Sequence, residues 1–309
     1  MMNFTGEHIL STKQFSREEI ERIIEVAKEM EGRIEQKDVI DFCRGKVLAS
    51  LFYEPSTRTR FSFEAAMAKL GGSVVTVVGE GNSSLAKGET LVDTGKVIDQ
   101  IVDVVVMRHK EKGSVENFAG DIATPVINAG DGAGEHPTQA LLDIFTIEKE
   151  REKIDDLVIV MAGDLKYGRT VHSLAQLLSN YKVTIRFVSP NELKMPQEIK
   201  DHLKEKGVEY EEIDDLAEAI KGADVLYQTR IQEERFENRD EYLRLKGSYV
   251  IDRKFIGDNN NKITIMHPLP RIDEISPDVD DYAGAAYFRQ VQNGVYIRMA
   301  LITLVLGIR

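Results

Sequence analysis

From residue 46 to residue 266 the chain alternates short apolar runs with stretches of helical composition, and this alternation limits the fold more than any other feature. Runs at 46–52, 73–78, 102–107, 125–128, 157–162, 182–188, 208–211, 224–229, 248–251 and 263–266 have the length and apolar character of strands. Helices are expected at 61–70, 91–101, 140–150, 196–206 and 216–220, and another opens out of 163–170 and runs to 178. Ahead of these, Ser16-Arg17-Glu18-Glu19 is a capping box, after which Ile20, Ile23, Ile24, Ala27 and Met30 fall on one helical face. Behind them, 287–308 reads as a buried closing helix. Strands alternating with helices pair in parallel under a cover of helices, so the fold class is α/β. A chain of 309 residues is long enough for two domains. The almost wholly charged segment 149–156 reads as the end of a helix running between them. The expected architecture is two domains, each a parallel-type sheet covered by helices, with the active site in the cleft between them.

In such sheets ligands bind beyond the carboxyl ends of the strands. Arg58, Arg108, Arg169, Arg230 and Arg271 each follow a strand-like run, as do His136 and His267. The densest cluster is Glu54-Pro55-Ser56-Thr57-Arg58-Thr59-Arg60, between the first strand and its helix. Pro55 disfavours helical geometry at Glu54, while Ser56 and Thr57 are helix-capping types, so the next backbone N–H groups open toward a ligand. With Arg58, Arg60, Thr57 and Thr59 beside them, they form a socket suited to a phosphate. The segment 79–90, rich in glycine, reads as a mobile loop carrying Ser84 and Lys87. The stretch 129–135 is too glycine-rich to be regular. Pro137 suits a first helical position, which puts His136 at the mouth of a helix and Gln139 one turn in. The positive end of the helix dipole disfavours imidazolium there, and a neutral ring offers one N–H donor.

The formal net charge of -12 argues against broad nucleic-acid or membrane-surface binding, which needs a basic face. Cys43, the only cysteine, permits neither an intrachain disulfide nor a cysteine metal cluster and reads as a packing residue. The start of the sequence has no signal-peptide pattern, so the cytoplasm is the expected location. Phosphate-loop, dinucleotide-binding, zinc-protease and nucleophile-elbow motifs are all missing from the sequence. What remains is arginines, hydroxyls, one histidine and one glutamine, a set that stabilises charge without supplying a strong nucleophile. Holding two reactants in attack geometry can remove about 7–11 kcal/mol of barrier, and an oxyanion donor about 3–4 kcal/mol more. Neither a metal nor a cofactor is required.

Phe52-Tyr53-Glu54-Pro55-Ser56-Thr57-Arg58-Thr59-Arg60, Lys87-Gly88-Glu89-Thr90, Val106-Met107-Arg108-His109, His136-Pro137-Thr138-Gln139, Gly163-Asp164-Leu165-Lys166-Tyr167-Gly168-Arg169 and His267-Pro268-Leu269-Pro270-Arg271 occur in this order. As a set they resemble the catalytic chains of the aspartate carbamoyltransferases, within the aspartate/ornithine carbamoyltransferase superfamily. That resemblance implies carbamoyl transfer from carbamoyl phosphate to L-aspartate in pyrimidine synthesis, without cofactor or metal. It implies a carbamoyl-phosphate-binding domain at 1–134 completed by the helix 287–309, an interdomain helix at 135–151 and an aspartate-binding domain at 152–286.

By motif, Ser56, Thr57, Arg58 and Thr59 are implied to hold the phosphate, and Arg108 to contact phosphate and carbonyl oxygen. Thr59, Arg108 and His136 would polarise that carbonyl. Gln139 and the backbone carbonyls of Leu269 and Pro270, flanking a cis bond, would grip the carbamoyl NH2. Arg169, Arg230, Gln232 and Lys87 would bind the aspartate carboxylates, and the departing phosphate would take the amine proton. Ser84, or its neighbour Ser83, and Lys87 are implied to reach a neighbouring subunit's site, giving a homotrimer. Glu54 with Arg108, and Arg230 with Glu234 and Arg235, resemble ion pairs of domain closure. Whether regulatory chains join the trimer is left open. An ornithine-using relative usually carries a cysteine where His267-Pro268-Leu269-Pro270 stands, and its cationic acceptor would be repelled by Arg169, Arg230 and Lys87. A non-catalytic binding relative is disfavoured because every expected site residue is present.

Overall fold

The computed structural model describes residues 3–132, 134–232, 236 and 238–309. They divide into two compact units, 1–142 with 291–309 and 143–290. The divisions fall inside two helices, α5 (Pro137–Arg151) and α11 (Tyr287–Val305), numbered here by their place in the chain.

Unit 1 opens with α1 (Arg17–Glu35), where Ser16 and Glu19 form the expected capping box and Ile20, Ile23, Ile24, Val26, Ala27 and Met30 are buried. Its sheet holds β1 (Val47–Phe52), β2 (Ser73–Val78), β3 (Val104–His109) and β4 (Val126–Asp131) in the order β2-β1-β3-β4, all parallel. Because β2 and β3 flank β1 on opposite sides, the chain reverses direction across the sheet between β1 and β3. The carboxyl ends of those two strands therefore border a crevice. Helices α2 (Thr57–Lys69) and α3 (Leu91–Asp99) follow β1 and β2 as expected. Cys43 is buried, and burial pushes its thiol up to about 11, in keeping with a packing role.

Three expectations for unit 1 need correction. The strand expected at 102–107 is shifted, so that Arg108 and His109 lie within β3 rather than after it. The glycine-rich stretch expected to be irregular continues β4 through Ala129, Gly130 and Asp131. A register shift between Met107 and His109 absorbs the irregularity, and the amide of Gly130, at φ +122°, donates to Asn128 Oδ1 at 2.8 Å. A short helix, α4 (Ser114–Ala119), buries Val115, Phe118 and Ala119 in a stretch with no expected element. The 79–90 segment contains two 3-10 turns, Glu80–Asn82 and Ser84–Lys87.

Unit 2 holds β5 (Val158–Ala162), β6 (Thr184–Val188), β7 (Glu209–Glu212), β8 (Val225–Gln228) and β9 (Thr264–Met266) in the order β7-β6-β5-β8-β9, again all parallel. Its reversal lies between β5 and β8. Helices α6 (Arg169–Leu178), α7 (Gln197–Glu205) and α8 (Leu216–Ala219) match the expected ones. The strand expected at 248–251 reduces to a single bridge, Ile251 with Ile275, and Val250 beside it is 45% exposed. Two helices of seven residues, α9 (Arg239–Leu245) and α10 (Arg253–Asn259), were not expected; they are capped by the side chains of Asn238 and Asp252. Among the described residues no helix is long and apolar enough to cross a membrane.

Candidate active site

In unit 1 the socket forms where β1 turns into α2. Ser56 is the N-cap in extended geometry, and its hydroxyl makes no cap hydrogen bond. The first intrahelical bond runs from the Arg60 amide to the Ser56 carbonyl at 3.2 Å. The amides of Thr57, Arg58 and Thr59 thus precede the helical ladder and receive no cap from Ser56. Arg58 is exposed and Thr59 buried. Arg60, expected to add charge to the socket, lies 3.9 Å from Glu64 and over the Phe61 ring instead. Glu64 in turn accepts from Ser50 Oγ and Thr76 Oγ1, both at 3.0 Å.

Arg108 projects from the adjacent strand β3 and is 8% exposed. Its guanidinium meets Glu54 Oε2 at 2.7 Å and donates to the Ala129 carbonyl at 3.2 Å, so the expected Glu54–Arg108 pair is present. The charge is thus buried and its direction is fixed by these acceptors. His136, 4% exposed, precedes Pro137, the first residue of α5, and its carbonyl accepts from the amides of Gln139 and Ala140 at 3.0 and 3.2 Å. Gln139 is half-buried. Socket, Arg108 and His136 thus belong to the carboxyl ends of three adjacent strands, β1, β3 and β4. Sequence reasoning missed Glu135, whose carboxylate accepts from Ser11 Oγ at 2.8 Å, the Thr12 amide at 2.5 Å and Thr12 Oγ1 at 2.6 Å. That contact ties the residue before His136 to the N-terminal segment across more than a hundred positions.

Ser84 and Lys87 are exposed, whereas Ser83 is half-buried and donates to the Glu80 carbonyl at 2.7 Å. Glu80 also meets Lys110 at 3.1 Å and the His109 ring at 3.5 Å, which pins the turn to the end of β3.

In unit 2 the ends of β5 and β8 touch. A Cβ on Gly163, at φ +111°, would lie 2.3 Å from the Thr229 carbonyl, and the Asp164 amide donates to Thr229 Oγ1 at 3.1 Å. This approach requires glycine. Asp164 is fully buried and accepts from the Tyr167 amide at 2.9 Å, shaping the turn that delivers Arg169 as the first residue of α6. His172 Nε2 lies 2.7 Å from the Leu165 carbonyl and braces the same turn; burial lowers its affinity for a proton. Arg230 and Gln232, both half-buried, follow β8. Gln228, Thr229, Arg230, Tyr242, Lys246 and Glu274 line a small pocket. Glu234 and Arg235, expected to pair with Arg230, lie outside the described residues.

Two of the post-strand cations and rings have other partners. Arg271 is held by Asp280 Oδ1, Asp280 Oδ2 at 2.7 Å and the Tyr287 hydroxyl at 3.0 Å. His267 is buried against Glu274 at 2.7 Å. The Leu269–Pro270 bond is cis, as the sequence motif implies; Leu269 is half-buried and Pro270 exposed.

Two parallel α/β units, each gathering arginines and hydroxyls at the carboxyl side of its own strand reversal, define the class as α/β proteins with polar, cation-bearing strand ends. Residues 7–149 match the aspartate/ornithine carbamoyltransferase carbamoyl-P binding domain, and residues 155–305 match the Asp/Orn binding domain of the same family. The chain belongs to the aspartate/ornithine carbamoyltransferase family. It is 50% identical over 307 residues, 99% of both chains, to the aspartate carbamoyltransferase catalytic subunit of Thermococcus kodakarensis. The solved catalytic subunit of M. jannaschii aspartate transcarbamoylase matches with a TM-score of 0.92 at 46% identity, covering 97% of this chain and 98% of that one. Aspartate transcarbamoylase from Trypanosoma cruzi, in complex with carbamoyl phosphate and aspartate, matches with a TM-score of 0.92 at 42% identity over 98% of each chain.

Proposed function

We propose that this chain transfers the carbamoyl group of carbamoyl phosphate to the amino group of L-aspartate, giving N-carbamoyl-L-aspartate and phosphate in pyrimidine biosynthesis. The observation that carries this reading is full-length similarity to an aspartate carbamoyltransferase catalytic subunit and to an aspartate transcarbamoylase solved with carbamoyl phosphate and aspartate. The reaction breaks the bond from the carbonyl carbon to the phosphate oxygen and forms one from that carbon to the aspartate nitrogen. The amine proton leaves with the phosphate.

In this reading unit 1 binds carbamoyl phosphate. Ser56, Thr57, Arg58 and Thr59 hold the phosphate at the start of α2, where amides ahead of the helical ladder favour negative charge. Thr59, Arg108 and His136 donate to the carbonyl oxygen as it gains charge, and Gln139 accepts from the carbamoyl NH2 together with the carbonyls of Leu269 and Pro270. Arg169, Arg230 and Gln232 take the aspartate carboxylates, with Lys87 contributed by a neighbouring copy. Domain limits at 134 and 152, with 287–309 returning to the first domain, are part of the same reading.

The working unit in this reading is a homotrimer in the cytoplasm. Phe61, Val75, Val78, Val97 and Ile101 support the subunit contact, since all are large, apolar and exposed on unit 1. Ser84 and Lys87 are exposed on the same unit, as donation to a neighbour requires, and Ser84 fits the role better than Ser83, whose hydroxyl is engaged. Phosphate release with carbamoyl phosphate and either L-aspartate or L-ornithine tests the acceptor. Release with aspartate alone is expected, and release with ornithine alone overturns the assignment.

A further inference from the structure

The loop that follows β9 is organised around one buried histidine. His267 is 1% exposed and both of its ring nitrogens are committed. Nδ1 accepts the amide of Leu269 at 2.8 Å, which leaves the ring proton of the neutral form on Nε2, facing Glu274 Oε1 at 2.7 Å. The other oxygen of Glu274, itself 6% exposed, accepts the amides of Ile272 and Asp273, each at 3.2 Å. Residues 267–274 therefore close on themselves through side chains, in a stretch where no helical or sheet ladder sets the backbone.

A second chain of contacts fixes the start of this loop. The amide of His267 donates to Gln290 Oε1 at 3.0 Å, Gln290 Nε2 donates to Asp143 Oδ1 at 2.6 Å, and Asp143 Oδ2 accepts the Tyr227 hydroxyl at 2.8 Å. Leu269 takes a left-handed conformation, φ +54°, which a leucine rarely adopts without an external tie. The bond from its amide to His267 Nδ1 supplies that tie.

We infer that His267 and Glu274 are positioning residues that aim the carbonyls of Leu269 and Pro270 at the carbamoyl NH2. The inference rests on the proposed reading for the role of those carbonyls, while the tie itself belongs to the loop. Neither side chain needs to touch substrate. Glu274 fixes which nitrogen of His267 carries the proton, and His267 fixes the backbone of Leu269. A group held this way acts on the donor substrate only, so its loss falls on carbamoyl phosphate rather than on aspartate.

Two substitutions separate the tie from general stability. His267→Asn keeps an acceptor near the Nδ1 position, and His267→Gln keeps an amide near the Nε2 position. Both remove the ring from the same buried space. Hydrogen exchange of the 267–274 segment in the full chain reads the tie directly: protection of the Leu269 amide should persist in His267→Asn and be lost in His267→Gln. Steady-state kinetics read the consequence: kcat/KM for carbamoyl phosphate should fall about tenfold further in His267→Gln than in His267→Asn, the worth of one hydrogen bond. The KM for aspartate should stay the same in both. Equal exchange in the two variants overturns the tie, whatever the enzyme does. Unequal exchange with equal kcat/KM overturns the positioning role. Carbamoyl aspartate formation by the unaltered chain is measured first, so that failure of the proposed function is seen separately.

Discussion

The two units prepare their polar groups by different means. In unit 1 the candidate residues ride on regular elements: the first turn of α2, the body of β3 and the entry to α5. In unit 2 most of them lie on irregular chain after β8 and β9, held by buried side chains such as Asp143, Gln290, His267 and Glu274. A phosphate is well served by the first arrangement, because helix amides and a strand-borne guanidinium stay put when charge arrives. Aiming a carbonyl or shaping a turn needs backbone conformations that ladders do not provide, and a polar network can enforce them. Unit 1 should therefore lose chemistry before stability when its site is cut, and unit 2 should lose both together.

The largest expected effect sharpens the first half of that contrast. Arg58→Ala removes an exposed guanidinium from the start of α2, and turnover should fall by about 100- to 1,000-fold, the size seen for one lost transition-state donor. The urea midpoint should move little, since the side chain is exposed. Unchanged turnover would mean that the socket is misassigned. Next comes a test of whether unit 1 is complete by itself. Lys87→Ala and Arg58→Ala chains, each inactive, should recover up to about a quarter of native activity when mixed, because random trimers pair an intact socket with an intact neighbouring lysine at that frequency. Subunit exchange without recovery would place both residues in one chain's site.

Much of this was legible because it is local. A capping box and a proline at a helix start are short patterns, and Ser16 and Pro137 sit where such patterns put them, while Arg108 falls inside the strand it was expected to follow. What escaped depends on distant partners. Glu135 looks like an ordinary loop acid until Ser11 and Thr12 come back to it, and Arg271 reads as a cleft cation until Asp280 takes it. The Arg60 error was avoidable, since Glu64 stands four residues on, the ordinary spacing of a helical ion pair. Helices α4, α9 and α10 span six or seven residues, too few to show a period, and their signals reduce to a single capping side chain at α9 and at α10 and to none at α4. The continuation of β4 through glycine was hidden because a bulge, not composition, makes it possible.

The second half of the contrast predicts a stability effect. Asp143 is fully buried and accepts both Gln290 and Tyr227. Asp143→Ala leaves two buried donors without that acceptor and should cost about 2–5 kcal/mol. A lower urea midpoint accompanied by reduced turnover is expected. A lower midpoint with undiminished turnover per folded molecule would show that the network stabilises unit 2 without shaping it.

The smallest effect is a pH dependence in unit 2. Burial lowers the proton affinity of His267 below its ordinary value of 6.5, and nearby Arg271 and Arg230 act in the same direction, outweighing the opposing pull of Glu274. As pH drops through 6.5 the unfolded chain takes up a proton that the native ring refuses, so stability falls with falling pH. Glu274 adds a second loss only below 4.5. Burial alone would raise its affinity, but the bonds from His267 and the backbone hold it low, so its contribution is complete above that value. His8 and His172 are also lowered by burial and share the sign of His267. The test is therefore a difference: urea midpoints between about pH 7 and about pH 5 should fall less steeply in His267→Asn than in the native chain. If the two slopes coincide, groups other than His267 carry the dependence, and the His267 ring takes up its proton in the native loop as readily as in the unfolded chain.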